Sequence, residues 1–285
     1  MLKQVLGSIL TPDESAQIYS AFDQIGDIVI IKIPDSLVAK KEVIAKAILA
    51  NVKTAKAVFA QTSAVRGDYR VRDLEFLAGE NRTMAEYKEH TCRFRVDVAK
   101  TYFSPRLSTE RLRIAKMVGD NETIINMFAG VGTYSVIIAK MNKTCRIYSI
   151  DSNSAASKLD EINARLNKVQ DRIFTIHGDA AKVITNQLAG QADRVLMPLP
   201  ERAKEFVEPA VLALKKKKQQ HHQQGGIIHY FAHIKADSKK ASQELGLADT
   251  HDAFQKYDHD VLEVRVIREV GPRVYQVVAD VLVRR

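Results

Sequence analysis

The sequence predicts an α/β protein, in which a small α+β module at 1–100 precedes a doubly wound parallel sheet at 101–285. Strand-like runs alternate with helix-like segments through most of the second part, which is the pattern of βαβ units in a parallel sheet. The last two β-rich segments, 261–267 and 274–283, are separated by a short break that contains Gly271-Pro272. We therefore expect them to close the sheet as antiparallel strands.

The first module contains shorter elements. We expect a helix at 37–50 and strands at 27–33, 54–60, 71–77 and 94–98. The run at 27–33 is β-branched and apolar, as in a buried strand, and residues 94–98 alternate with period two, as in a half-exposed strand.

The second module has the longer βαβ rhythm. Ser108 or Thr109 is a candidate N-cap of its first helix. The expected helices are 108–118, 134–141, 155–167, 203–215 and 238–245, and the expected strands are 123–127, 145–150, 172–176, 194–197 and 227–231.

Composition narrows the function classes. The net charge of +9 favours polyanionic partners such as nucleic acid. No apolar run approaches the ~20 residues that cross a bilayer, and the N-terminus has no secretory pattern. The two cysteines, Cys92 and Cys145, are far apart, so we expect neither disulfides nor structural zinc but a cytoplasmic protein.

One biased stretch, the lysine, glutamine and histidine run at 215–224, has two interpretations. It is either a solvated helix end with a loop or a phosphate-binding edge. His221 and His222 lack a carboxylate or thiol partner nearby in the sequence, so we expect no metal site.

A glycine-containing turn follows the strand at 123–127 and precedes a helix. It reads Phe128-Ala129-Gly130-Val131-Gly132, and glycines there let the backbone approach a ligand at the carboxyl ends of the strands. Ser135 stands where the third glycine of the dinucleotide pattern would be. This departure argues against a pyrophosphate-containing cofactor.

Two carboxylates extend this pattern. Asp151 ends the next strand about 20 residues on, where a carboxylate accepts ribose hydroxyls. Asp179 follows the third strand, in a position to accept an adenine amino hydrogen. Each acid alone could equally be a helix cap. Together, in strand order, they predict an adenosyl site, and S-adenosylmethionine is the cofactor that fits.

Five segments together carry a resemblance to a known protein family. They are GDYRVRDLEFLAGE at 67–80, VAKTYFSPRLSTER at 98–111, NMFAGVG at 126–132, GGIIHYF at 225–231 and the closing 273–283. The chain thereby resembles the archaeal and eukaryotic Trm5-type family of tRNA (guanine-37-N1)-methyltransferases over nearly its whole length. The resemblance implies a Rossmann-like class I methyltransferase sheet and, as partner, the tRNA anticodon stem-loop. We also expect a monomer that lacks the extra N-terminal domain of longer archaeal members.

The resemblance also implies catalytic roles. N1 of guanine carries a proton at neutral pH, so its methylation needs a base, and negative charge develops on O6. Glu110 matches the family's base and Arg70 the arginine that stabilises O6. Without the resemblance, Glu110 would be interpreted as an ordinary acid at a helix N-terminus, and Arg70 would be interpreted as a charged residue on a surface strand.

Further site residues follow from the turn, the carboxylates and the resemblance. The expected cofactor-binding residues are Tyr102, Arg111, Phe128, Gly130, Gly132, Asp151, Asp179 and Pro198, and the expected RNA-binding residues are Arg72, Lys100, Arg106 and Pro200. By resemblance, Tyr102, Arg106 and Arg111 line a cleft between the two modules. Arg106 and Glu110 are also spaced for a plain i,i+4 salt bridge.

The sequence departs from the family at Pro198-Leu199-Pro200, where Asn-Leu-Pro is usual. Proline offers only a carbonyl in place of the asparagine's donor and acceptor. Alternatives to guanine methylation are therefore a wybutosine-pathway aminocarboxypropyl transferase, a bifunctional methyltransferase that also acts on a tricyclic intermediate, and a non-catalytic tRNA-binding homologue. Retention of Arg106 and of Thr109-Glu110-Arg111 argues against aminocarboxypropyl transfer.

Overall fold

The computed structural model describes residues 6–7, 9–17, 22–63, 71–216 and 225–285. The chain forms two compact units, Met1–Pro105 and Arg106–Arg285, which are called here the N-terminal unit and the C-terminal unit. Within the described ranges, no helix has both the length and the hydropathy needed to cross a membrane.

The elements of the N-terminal unit are α1 (Pro12–Gln17), β1 (Asp23–Ile25), β2 (Ile28–Ile31), a 3-10 turn (Asp35–Lys40), α2 (Lys41–Asn51), β3 (Ala57–Gln61), β4 (Leu74–Gly79), β5 (Met84–Glu89) and β6 (Cys92–Asp97). The unit is built on a four-stranded sheet of order β1-β2-β3-β4, in which only β2 and β3 are parallel. A separate hairpin of β5 and β6 follows the sheet.

The hydrophobic pattern explains this core. All four residues of β2 are buried, and α2 contributes Ile44, Ala45 and Ile48 to the same apolar cluster. The helix expected at 37–50 is divided, because its first part is the 3-10 turn. Strand β5 was not predicted: it alternates polar and apolar residues in a sequence that is also rich in glutamate and lysine, and only pairing with β6 makes it a strand.

The elements of the C-terminal unit are α3 (Ser108–Met117), β7 (Thr123–Asn126), α4 (Thr133–Met141), β8 (Arg146–Asp151), α5 (Ser154–Leu166), β9 (Ile173–His177), α6 (Ala180–Val183), β10 (Arg194–Met197), α7 (Val207–Ala213), β11 (Gly226–Lys235), α8 (Lys239–Phe254), β12 (Asp258–Gly271) and β13 (Val274–Arg284). The unit contains one seven-stranded sheet of order β12-β13-β11-β10-β7-β8-β9. The five strands from β11 to β9 are parallel, and β13 and β12 close the sheet as antiparallel strands. The doubly wound sheet with antiparallel closing strands is thus confirmed.

Three local predictions were wrong. Helix α8 does not stop before Gly246 but continues to Phe254, because that glycine packs closely against the sheet: a Cβ there would lie 3.2 Å from a Val264 methyl. The helix expected at 203–215 is a 3-10 turn followed by α7, which has Pro209 in its first turn, where a missing N–H is tolerated. Finally, Leu107 occupies the N-cap of α3, and no side chain caps the helix.

Candidate active site

The order of the strands brings the predicted cofactor residues to one edge of the sheet. Strands β10, β7, β8 and β9 are parallel neighbours, so their carboxyl ends lie side by side. The glycine turn follows β7, Asp151 ends β8, Asp179 follows β9, and Pro198 follows β10. This edge, where the chain leaves the central strands in opposite directions, is where open α/β sheets bind ligands.

The turn and the first carboxylate are in direct contact. Gly130 and Gly132 have φ angles of 57° and 80°, in the left-handed region that glycine adopts without strain. The Asp151 carboxylate accepts hydrogen bonds from the backbone N–H of Gly130 (2.6 Å) and from that of Asn153 (2.9 Å). Burial raises the pKa of Asp151, while these two bonds oppose the shift. The half-buried carboxylate is therefore anchored to the turn that precedes α4.

A second carboxylate, which is not among the site residues predicted from the sequence, lies beneath the turn. Asp160 on α5 is fully buried, and the hydroxyl of Thr175 donates to its Oδ2 over 2.8 Å. Its Oδ1 faces Gly132 so closely that a Cβ on the glycine would lie 1.8 Å away. Burial raises the pKa of Asp160 to about 7. The available signal was a lone acid among the buried residues of α5.

Polar side chains continue this layer below the turn. The amide of Asn126 donates to the hydroxyl of Ser135 (3.1 Å), which is 2.9 Å from the hydroxyl of Ser149. All three side chains are buried. Ser135 therefore does not merely replace a glycine of the dinucleotide pattern; it joins the first strand of the site to the second.

The remaining edge residues have simpler environments. Asp179 is exposed and caps α6 by accepting the Lys182 N–H (2.9 Å), so the helix-cap interpretation left open for it is correct as far as it goes. Phe128 packs edge-on against Phe206, with ring centroids 4.9 Å apart. Pro198 is partly exposed after β10, and Pro200 is buried.

Glu110, the candidate base, lies in the first turn of α3 and is only 5% exposed. Both of its carboxylate oxygens accept hydrogen bonds from Arg113, the shortest being 2.6 Å from Nη2 to Oε1. Burial raises the pKa of Glu110, and the Arg113 guanidinium opposes this shift. The same guanidinium contacts Asp280 on β13, with Nη1 2.5 Å from Oδ2. Arg113 and Asp280 were not among the sequence-predicted site residues.

Of the other predicted residues, Arg111 is buried on α3 and Arg106 is exposed. In the N-terminal unit, Tyr102 is partly buried, and the Lys100 ammonium, on a largely exposed side chain, lies 3.8 Å from Asp97. Arg72 donates to Asp23 and to Gln61, each over 3.1 Å, so this guanidinium has partners within its own unit. Arg70 and residues 217–224 lie outside the described residues.

In the described part of the chain, no group of three or more His, Cys, Asp or Glu side chains has an arrangement that could hold a metal ion. The first residue of the biased stretch, Lys215, pairs with Asp193 over 2.6 Å. The side chains of Cys92 and Cys145 are both buried.

The strand order, with a glycine turn after β7, the middle one of the five parallel strands, is that of the Rossmann-like methyltransferases. Comparison with protein families gives the particular group: the chain belongs to the TRM5/TYW2 methyltransferase family. Residues 85–258 match the TRM5/TYW2 methyltransferase domain, and residues 2–83 match the TYW2 N-terminal domain. The Trm5-type resemblance seen in the sequence is thereby confirmed, and the match of the N-terminal segment to the TYW2 branch is an addition to it.

The relatives of the chain within this family have several different activities. The chain is 37% identical over 261 residues to the tRNA (guanine(37)-N(1))-methyltransferase Trm5b of Pyrococcus abyssi, covering 92% of this chain and 74% of the relative. It is 35% identical over 269 residues to the tRNA 4-demethylwyosine(37)-methyltransferase Taw21 of Saccharolobus solfataricus, covering 94% and 95%. It is 30% identical over 253 residues to a tRNA(Phe) (4-demethylwyosine(37)-C(7)) aminocarboxypropyltransferase of Methanocaldococcus jannaschii, covering 87% and 95%.

Solved structures agree with these matches. A complex of aTrm5 and tRNALeu superposes with a TM-score of 0.82 at 34% identity, covering 99% of this chain and 77% of the other. Trm5 of Methanocaldococcus jannaschii in complex with adenosine superposes with a TM-score of 0.78 at 34% identity, covering 95% and 76%.

Proposed function

We propose that the protein transfers a methyl group from S-adenosylmethionine to N1 of guanine 37 in tRNA. The observation that carries this proposal is the buried Glu110 carboxylate, the base that the reaction needs, in a chain that is 37% identical to a guanine-37 N1-methyltransferase. The net charge of +9 suits a polyanionic partner. The proposed partner is the anticodon stem-loop, the N-terminal unit is proposed to help bind it, and we propose a cytoplasmic, monomeric enzyme.

The residues at the sheet edge fit an adenosyl group. A half-buried carboxylate, Asp151, is an acceptor for ribose hydroxyls, and the turn with Gly130 and Gly132 leaves the backbone accessible. Phe128, Asp179 and Pro198 are proposed to complete the cofactor site, together with Tyr102 and Arg111. When bound, S-adenosylmethionine supplies an electrophilic methyl group on a positively charged sulfur.

Glu110 is proposed to accept the proton of N1 as the methyl group is transferred. A base must be ionised before it can act, and the Arg113 guanidinium favours the ionised form of this buried carboxylate. Arg70 is proposed to stabilise the charge that develops on O6. Arg72, Lys100, Arg106 and Pro200 remain proposed RNA contacts; the pairing of Arg72 with Asp23 and Gln61 weakens its case for direct contact with RNA.

The test combines product identification with one substitution. Unmodified tRNA is incubated with methyl-labelled cofactor and digested, and we expect 1-methylguanosine from position 37. Glu110→Gln removes the base without changing the shape of the side chain and is expected to lower the single-turnover rate by about 10²-fold or more. The matched control is Glu208→Gln, which makes the same change in the first turn of α7 at an exposed position. Wild-type activity in Glu110→Gln would contradict the assignment of the base.

A second candidate is methylation of 4-demethylwyosine at the same tRNA position. It is favoured by the match to Taw21, which covers 95% of that relative, whereas the match to Trm5b covers 74%. Pro198, in place of the family's asparagine, is consistent with a changed contact to the target base. Parallel assays on unmodified tRNA and on tRNA carrying 4-demethylwyosine separate the two activities or reveal both. Cofactor labelled in its carboxyl group instead of its methyl group detects aminocarboxypropyl transfer, and no transfer of either label indicates a non-catalytic tRNA-binding protein.

A further inference from the structure

Arg113 lies between two carboxylates from distant parts of the sequence. Its Nε and Nη2 atoms donate to Glu110, and its Nη1 and Nη2 atoms donate to Asp280 (2.5 and 3.0 Å). The side chains of Arg113 and Asp280 are 14% and 2% exposed. One shielded guanidinium is therefore shared by the proposed base and by a second buried acid.

Asp280 also contacts His229, its register partner on β11. His229 Nδ1 lies 2.6 Å from Asp280 Oδ1, and its Nε2 lies 2.9 Å from Arg194 Nη1. Because arginine only donates, Nε2 must accept and Nδ1 must carry the proton, so the geometry defines a neutral imidazole. Burial of His229 lowers its pKa, in agreement with this assignment. Arg194 is itself paired with Glu122 over 2.7 Å.

The charges of this cluster do not cancel. Glu110 and Asp280 are two potential anions, Arg113 is one cation, and His229 is neutral, so one negative charge remains when both acids are ionised. The proton that removes it belongs on Glu110. Burial raises the pKa of Glu110, whereas hydrogen bonds from His229 and Arg113 overcome burial at Asp280 and hold its pKa well below its usual range.

We propose that Arg113 and Asp280 are positioning residues that act through Glu110: Arg113 orients the carboxylate and keeps it ionised, and Asp280 takes up part of the guanidinium charge so that Glu110 can still accept a proton. This inference rests on the proposed function of Glu110 as the base. In the reaction, the N1–H bond breaks as an O–H bond forms on Glu110, and the cluster becomes neutral. The proton then leaves to solvent before the next turnover.

Other charged groups face the cluster from β12. Glu263 Oε2 lies 3.7 Å from Arg113 Nη1, and Arg265 Nη1 lies 3.2 Å from Glu263 Oε1. Both side chains are about half exposed, so water screens their effect on Glu110. Glu263 therefore provides a matched control: it is an acid beside the same guanidinium, but outside the buried cluster.

The experiment is the pH dependence of single-turnover methyl transfer to tRNA at saturating cofactor. Asp280→Asn removes a negative charge that opposes ionisation of Glu110, so the midpoint of the acid limb should move to lower pH and the plateau rate should fall. Arg113→Met removes the cation that favours ionisation, so the midpoint should move to higher pH. Each shift should be about one pH unit or more. Arg113→Lys should restore the midpoint but not the full rate, because a lysine cannot bridge two carboxylates with a planar fork.

Opposite shifts distinguish this role from a merely structural one, since loss of structure would lower the rate without moving the two midpoints apart. Glu263→Gln should move the midpoint by less than about 0.3 pH units, as expected for an acid whose side chain is half exposed to water. Circular dichroism and cofactor titration verify folding of each variant; if Arg113→Met does not fold, Asp280→Asn and Arg113→Lys decide the question alone. Midpoints that stay together, or that move in the same direction, overturn the inference and leave the function standing. An acid limb that persists in Glu110→Gln instead overturns the proposed base, and with it the inference.

Discussion

The buried carboxyl group of Asp160 should make the stability of the protein depend on pH. Burial raises the pKa of Asp160 to about 7, whereas the value in an unfolded chain is about 3.9. Its Oδ1 has no hydrogen-bond partner in the described part of the chain, and its Oδ2 accepts from Thr175. The folded protein therefore holds a proton that the unfolded chain has already released. Asp160→Asn replaces this group by an uncharged amide of nearly the same shape.

The magnitude and sign follow from linkage. A folded-state pKa above the unfolded value gives stability that is fully present below about pH 4 and is lost as the pH rises to about 7. A difference of about three units corresponds to about 4 kcal/mol of unfolding free energy over that window, at about 1.4 kcal/mol per unit. The asparagine variant lacks this loss. The free energy of unfolding of the variant should therefore increase relative to that of the wild type as the pH rises through this window. Above about pH 7 the difference between the two should stay constant.

The assay is urea unfolding followed by circular dichroism at half-unit steps from pH 4.5 to 8, with the unfolding free energy extrapolated to water. The matched control is Glu161→Gln, which removes a carboxylate from the next position of α5, where the side chain is half exposed. Only Asp160→Asn should flatten the pH dependence. If the difference in free energy between Asp160→Asn and the wild type is the same at every pH, the carboxyl group is not neutral in the folded state and the reasoning fails.

Two further predictions concern the glycine turn and the thiols. Gly132→Ala places a Cβ 1.8 Å from Asp160 Oδ1 at a φ of 80°, so it should weaken S-adenosylmethionine binding, measured calorimetrically, at least about tenfold. The control is Gly190→Ala, which has a φ of 72° and no atom within 4 Å of the added Cβ; it should cost only about 1 kcal/mol of stability and leave binding unchanged. Equal binding by the two variants would contradict the role of the turn. Burial raises the pKa of the Cys145 thiol to about 11, and Cys92 is buried as well, so neither should react with a thiol reagent at pH 8 until the protein is unfolded. Rapid labelling of Cys145 in the native protein would show that its surroundings open to solvent.

Local patterns predicted the parts of the site that depend on local structure. The strand, turn and helix around Gly130 are consecutive in sequence, and the carboxylate of Asp151 ends the very next strand. In a parallel sheet such successive strand ends meet at one edge, so the sequence could place Asp151 beside the turn, but the hydrogen bond from the Gly130 N–H to its carboxylate is seen only in the structure. The family resemblance added Glu110, whose position at the start of α3 agrees with the predicted helix.

The sequence was less informative where an element depends on what packs against it. Gly246 looked like a helix end, yet α8 runs through it because the missing side chain admits the sheet. Strand β5 is too rich in charged residues to be recognised alone, and its pairing with β6 makes it a strand. Asp160 is an acid at a buried position of α5, and no local sequence pattern predicts that its side chain faces Gly132.

The amino-acid sequence by itself therefore determined most of the succession of strands and helices along the chain, the turn that begins the proposed cofactor site, and the family to which the chain belongs. These follow from period, glycine placement and short specific strings, all of which are local properties. Only the tertiary structure decided what surrounds Glu110. Arg113 and Asp280 are 167 positions apart in sequence and meet because β13 inserts beside β11 and its buried Asp280 reaches α3. A hydrogen bond between residues so far apart depends on the order of the strands within the sheet and on the exclusion of water. Neither property can be predicted from any single segment of the chain.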